Sequence, residues 1–289
     1  IGATPTLSFS FNLIILNIVI LNYHKEYILS SKMNEEIVKY PSIKDKVVLI
    51  SGGSTGIGAT IVKKFLEQDA KVAFLDIDDV SGKKLVKEIN QFKYKALFQK
   101  CDVRNIDELK KSILEINKIL GKVSILVNSA ANDQRHSIDE VTPEFWDDRM
   151  NINLRHFFFS TQAVYKDMVE LGMGSIINIG SYSWMKGIGG MPAYTTAKSA
   201  IMGLTRTLAK DLGKYNIRVN CIVPGWIATE RQKKLWLTPE IIEDNLSRQS
   251  IKRMLEPDDI AKVVLFFASD QSSGCSAQSY VVDGGDVNQ

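Results

Sequence analysis

The chain is poor in the residues from which metal centres and disulfide frameworks are built. Its 289 residues include three cysteines and three histidines. Cys101, Cys221 and Cys275, like His24, His136 and His156, stand far apart without ligand-like spacing, so no metal site is expected. An odd set of scattered thiols suits a reducing, cytoplasmic setting in which they pack as small hydrophobes. A strong excess of charge is also lacking. The net charge is +3 and no basic block occurs, which argues against a nucleic-acid partner. A long apolar run is the third absence. The stretch 9–22 covers 14 residues, is interrupted by Asn12 and Asn17, and follows no basic residue. A spanning helix wants about 20 apolar residues, and a secretory signal wants a positive start and a small-residue cleavage site. No membrane partner is expected. The chain opens at Ile1, and Met33 begins a more ordinary start just ahead of the first strand. Residues 1–32 therefore read as an upstream extension, with the fold expected over 41–289 and 1–40 outside it.

What is present is an ordinary globular composition, 45% hydrophobic and 24% charged, in a chain long enough to bury a core without staples. From Lys46 onward, short apolar runs alternate with amphipathic stretches, the pattern of βαβ units. Strands are expected at 46–51, 71–76, 94–100, 123–127, 175–180, 217–223 and 279–282. Helical patterns lie at 56–70, 83–92, 106–120, 143–171, 193–212 and 257–269. A single doubly wound α/β domain of Rossmann type follows, with a seven-stranded parallel sheet. No Pro-, Gly- or Ser-rich linker divides it. The longest irregular span, about 224–257 with a short helix possible at 239–246, follows the sixth strand. In such sheets ligands bind beyond the carboxyl ends of the strands, so this span is the natural lid.

Directly after the first strand comes SGGSTGIG, with Gly52, Gly56 and Gly58 leading into a helix and Ser54 and Ile57 between them. Glycines let the backbone approach a pyrophosphate, and the helix N-terminus offers free amides and partial positive charge. The second strand ends in Asp76, 24 residues after Gly52. A carboxylate there can accept the ribose hydroxyls of an adenosine and repels a 2′-phosphate. Ser54, Thr55 and Ile77 supply no cation to welcome that phosphate. The expected cofactor is NAD; the bland alternative is a tight turn with a loop-capping Asp76.

Farther on, Tyr194 and Lys198 stand four apart on one helix face, and Ser181 precedes Tyr194 by 13 residues, just past the fifth strand. A phenol near pKa 10 is a poor base at neutral pH unless something favours its ionised form, and the Lys198 ammonium is the expected source of that field. Tyr194 would take a hydroxyl proton as hydride leaves the same carbon, with Ser181 positioning the oxygen and Lys198 also reaching the nicotinamide ribose.

Over about 45–285 the glycine loop, Ser181, Tyr194 and Lys198 together resemble the short-chain dehydrogenase/reductase family. That resemblance implies a fourth catalytic residue, Asn153, in a proton relay to Lys198. It also implies nucleotide contacts at Asp102, Val103, Asn128, Pro224, Gly225, Ile227 and Thr229, and a homotetramer, because the closing VVDGG usually lies near a subunit interface. Where the family reads Asn-Asn-Ala-Gly, this chain has Asn128, Ser129, Ala130 and Ala131, so local repacking is expected there. The segments over the substrate end (NDQRH, SYSWMKG and ATERQKKLWLTPE) resemble aldose 1-dehydrogenases. This implies oxidation of a D-xylose-like sugar at C1 to the lactone. Asn132, Arg135, His136, Trp184 and Trp226 are the candidates for gripping it, each with a packing or solvation role as its alternative. The runner-up readings are a 3-oxoacyl-carrier-protein reductase, which would want a basic residue near the glycine loop, and another alcohol dehydrogenase or carbonyl reductase of the same family. A catalytically inert dinucleotide-binding regulator would have lost Ser181, Tyr194 or Lys198, and all three are intact.

Overall fold

The computed structural model describes residues 38–287. In chain order it contains β1 (Val47–Ser51), α1 (Gly56–Glu67), β2 (Lys71–Asp76), α2 (Asp79–Glu88), β3 (Leu97–Lys100), α3 (Ile106–Leu120), β4 (Ile125–Asn128), α4 (Pro143–Met150) and α5 (His156–Leu171). There follow β5 (Gly174–Ile179), α6 (Pro192–Leu212), β6 (Ile217–Pro224), α7 (Glu230–Leu235), α8 (Pro239–Arg248), α9 (Pro257–Ala268) and β7 (Ser279–Val282). The seven strands form one parallel sheet in the order β3-β2-β1-β4-β5-β6-β7. This is the expected fold class.

Strand alternation splits the core into two layers. In β1, Val48 and Ile50 face the α1 and α9 side, where Phe65, Leu66, Ile260 and Val264 are buried. Val47 and Leu49 face α3, α5 and α6, against Ile113, Met168 and Leu208. Burying each such side chain is worth about 1.5–3 kcal/mol, and parallel strands covered on both faces are near-continuously apolar for this reason.

Three differences from the sequence pattern have local causes. The helix expected at 83–92 begins earlier, because the Asp78 side chain accepts from Ser81 N–H at 3.0 Å and caps α2. The helix expected over 143–171 is interrupted by a π-turn, Asn151–Arg155, at which Asn153 Nδ2 donates back to Arg149 O at 2.9 Å. An unexpected helix, α7, lies within the lid span. Its cap was legible, since Thr229 and Gln232 form the T-x-x-Q pattern and the Thr229 hydroxyl accepts from Gln232 N–H at 3.2 Å. The reading of the upstream extension concerns positions that, through residue 37, lie outside the described residues. Tyr40, at its end, gives its N–H to Gln68 Oε1 at 2.8 Å. Among the described residues, no helix is long and apolar enough to cross a membrane.

Candidate active site

The strand order reverses between β1 and β4, and there the carboxyl ends of the strands open into a cleft of about 440 Å³. The glycine loop forms one wall. Gly52 has φ +70°, and a β-carbon on it would lie 2.6 Å from Ala130 Cα; one on Gly58 would lie 1.9 Å from Gly52 O. The loop is thus pressed against both the start of α1 and the chain beyond β4, and only glycine fits. Asp76 is fixed at the end of β2 by two backbone donors, Ser54 N–H to Oδ2 at 2.9 Å and Asp78 N–H to Oδ1 at 3.0 Å. The Ser54 hydroxyl is buried with no partner among the described residues. A bare loop backbone, a helix N-terminus, an orphaned hydroxyl and a held carboxylate fit the phosphates and adenosine ribose of a dinucleotide. Gly52, Ile57, Gly58 and Asp76 line the cleft, whereas Ser54 and Gly56 do not.

Asp102 and Val103 line the next section. The Asp102 carboxylate takes Arg104 bidentately, with Nε at 2.9 Å and Nη2 at 2.7 Å, and that guanidinium holds it below the usual carboxylate range. Asn128 does not reach the cleft. It is fully buried in a chain running from Ser160 Oγ (2.6 Å) through Asn128 to Asn178 (2.9 Å) and Thr205 (3.0 Å), which ties β4 and β5 to α5 and α6. Ala131, at the departure from the family pattern, is accommodated without a positive φ. Pro224, Gly225, Ile227 and Thr229 line the far wall. A β-carbon on Gly225 would meet Asp283 Cα at 2.7 Å, so the closing VVDGG segment backs this wall directly.

Ser181, Tyr194 and Lys198 converge on the cleft. The Ser181 oxygen accepts from Ser183 N–H at 3.2 Å, leaving its own proton free to donate. Tyr194 is hydrogen-bonded to Ser181, which lowers its pKa, but burial outweighs that and pushes the phenol up to about 12. Lys198 is 1% exposed, and burial pushes its ammonium down to about 8. Its Nζ donates to Ile179 O at 2.8 Å and sits 5.7 Å from the Tyr194 ring centroid. Desolvation dominates the phenol, and Ser181 is the group that eases it, with Arg135 helping and Asp133 opposing. Asn153, fully buried in the π-turn, does not line the cleft; it clamps Asn132 by accepting its N–H at 2.8 Å and donating to its carbonyl at 3.1 Å.

Of the five residues expected at the substrate, Arg135 and Trp226 line the cleft, whereas Asn132, His136 and Trp184 do not. Asn132 is bound to Asn153 and turns its side chain to Gln134 N–H at 2.9 Å. His136 is buried, with Nδ1 against Gln134 O at 3.0 Å and its ring edge-on to Phe145, so it packs the loop onto α4. Arg135 lies over the Trp236 ring at 5.6 Å and reaches Met191 Sδ at 3.0 Å. The sequence reading passed over Asp133, Ser183 and Gln232, which also line the cleft. All three fall within the segments over the substrate end, but the pairing of Asp133 with Gln232 joins positions 99 residues apart, which no local pattern announces.

A family model described as "Enoyl-(Acyl carrier protein) reductase" matches residues 52–286. A probable galactose dehydrogenase of Rhizobium meliloti is 44% identical over 248 residues, covering 86% of this chain and 97% of its own length. A D-xylose 1-dehydrogenase of Caulobacter vibrioides is 44% identical over 246 residues, covering 85% of this chain and 97% of itself. Among solved structures, a 3-oxoacyl-[acyl-carrier protein] reductase from Brucella melitensis matches with a TM-score of 0.80 at 30% identity, covering 86% of this chain and 94% of its own. The protein is an oxidoreductase acting on CH–OH groups with a nicotinamide cofactor. By matched length, relatives and fold alike, the chain belongs to the short-chain dehydrogenase/reductase family.

Proposed function

We propose that the domain of residues 41–289 oxidises an aldose of the D-xylose or galactose type at C1 to its lactone, with NAD as hydride acceptor. The convergence of Ser181, Tyr194 and Lys198 on the cleft carries this reading. The 44%-identical relatives named for D-xylose and galactose support the substrate class. NAD supplies a hydride acceptor whose oxidised ring is positively charged. Asp76, held by two backbone amides, favours free ribose hydroxyls over a 2′-phosphate and so supports NAD over NADP. Gly52, Ser54, Gly56, Ile57 and Gly58 would hold the phosphates, and Asp102 and Val103 the adenine side. Pro224, Gly225, Ile227 and Thr229 would meet the nicotinamide side, while Asn128 supports the strand ends from behind.

The residues then have separate tasks. Ser181 donates to the substrate oxygen. Tyr194 takes the hydroxyl proton, and Lys198, a cation at neutral pH anchored on Ile179 O, stabilises the phenolate and reaches the ribose. Asn153 positions the loop that carries Asn132 and Asp133. Arg135 and Trp226 present a cation and an aromatic face to the sugar. Exposed Phe266 on α9 and Tyr280 in β7, and Leu114 and Phe158 on α3 and α5, support a homotetramer, which light scattering can test. Free, mostly buried cysteines suit the cytoplasm.

The test is a screen for NADH and NADPH formation over pentoses, hexoses and simple secondary alcohols. Aldose-dependent NADH formation is expected. Turnover restricted to NADPH and acetoacetyl thioesters would hand the chain to the 3-oxoacyl-carrier-protein reductase reading.

A further inference from the structure

Asp133 stands on the loop after β4 and lines the cleft, with a side chain 23% exposed. Its carboxylate receives Gln232 Nε2 at 2.8 Å and Arg231 Nη2 at 3.1 Å, both from α7 in the lid. The Gln232 carbonyl oxygen is taken by the Trp226 indole N–H at 2.9 Å. Trp226 can only donate, so it fixes which end of the Gln232 amide turns to Asp133. The carboxylate is therefore held by two donors from one side. A carboxylate has about four acceptor positions, so capacity remains for further O–H donors from the cleft.

Two more observations bear on the chemistry of this wall. Asp133 is near enough to the reacting groups for its charge to raise the proton affinity of both Tyr194 and Lys198. Ser183 also lines the cleft, is 2% exposed, and its Oγ has no partner among the described residues. An unpartnered buried hydroxyl and an aimed, acceptor-only anion suit a ligand rich in O–H groups. A ketone or thioester without hydroxyls could accept from Ser183 but offers the Asp133 carboxylate no donor to bind.

We propose that Asp133 is a specificity-determining residue that accepts hydroxyl protons of a polyhydroxylated substrate, its carboxylate aimed by the Gln232–Trp226 pair. The inference rests on the aldose reading and narrows it. It also makes the lid part of substrate selection, since the groups that aim Asp133 come from the span between β6 and α8.

The test compares D-xylose with 2-hydroxytetrahydropyran, the same six-membered hemiacetal without the ring hydroxyls. The quantity read is the ratio of kcat/KM for the first over the second. Asp133→Asn is expected to lower this ratio about 30-fold, the usual loss for a hydrogen bond to a charged group. Gln232→Leu leaves the carboxylate held by Arg231 alone, and should lower the ratio about fivefold; it carries the test if Asp133→Asn fails to fold. An unchanged ratio in both variants overturns the proposal while leaving aldose oxidation intact. Wild-type protein that oxidises no aldose overturns both together.

Discussion

The two ends of the cleft are built differently. The nucleotide end is assembled from chain neighbours: Gly52, Ser54, Gly58 and Asp76 lie within one β1–α1–β2 unit, and their contacts are mostly to backbone. The substrate end is assembled from side chains far apart in sequence. Asp133 meets Gln232 across 99 residues and Arg135 meets Met191 across 56. A backbone-built site tolerates only glycine but accepts drift elsewhere, so it serves a constant ligand. A site made of paired side chains on a loop and a lid can change its substrate by exchanging a pair. Tyr194, Ser181 and Lys198 sit where the two ends join.

This contrast can be broken or sharpened by substitution. The largest effect belongs to the junction. Tyr194→Phe removes the base and should lower kcat about 10³-fold with little change in NAD affinity, read by steady-state rates and nucleotide titration. Retained turnover would separate the phenol from the chemistry. Next comes the nucleotide end. Asp76→Ala should narrow the preference for NAD over NADP by about tenfold or more, the scale of losing a hydrogen bond to a charged group. The ratio of D-xylose to 2-hydroxytetrahydropyran should stay put, and a shift in that ratio would deny that the two ends are separable.

A further effect lies behind both ends. His156 is fully buried, with Nε2 against Ala130 O at 3.0 Å, and burial lowers its pKa to about 3. The folded pKa is thus below the unfolded value, and the unfolded chain binds the extra proton between them. Stability from this group is complete above about pH 6.5 and is lost as pH falls towards 3, by at most about 1.4 kcal/mol per unit. Urea unfolding between pH 7 and 5 should show a shallower acid slope for His156→Gln than for the wild type, whatever the absolute stabilities. Equal slopes would place the acid sensitivity elsewhere.

The same contrast explains what could be read from the sequence. Helix α3 was legible to the residue, because Asn105 caps it by accepting from Glu108 N–H and Leu109, Ile113 and Ile116 recur on one buried face. The glycine loop and the Ser181, Tyr194 and Lys198 spacing were legible because their chemistry demands fixed offsets. Asp133 and Gln232 were not, since no local pattern announces a pair brought together by the fold. His136 and Asn132 looked like substrate ligands in sequence and prove to be committed to Gln134, Phe145 and Asn153. The π-turn at Asn151–Arg155 was hidden for a related reason: the side-chain bonds of Asn153 cross to another loop and override an otherwise continuous helical pattern.

The central claim is that Tyr194 takes a proton while hydride leaves the anomeric carbon for the nicotinamide. It is tested most directly by supplying D-xylose deuterated at C1 and weighing the reduced nucleotide by mass spectrometry. The account predicts NADH heavier by one deuterium, formed by the wild type and nearly lost in Tyr194→Phe. NADH of ordinary mass, made from the labelled sugar at an undiminished rate, would contradict it.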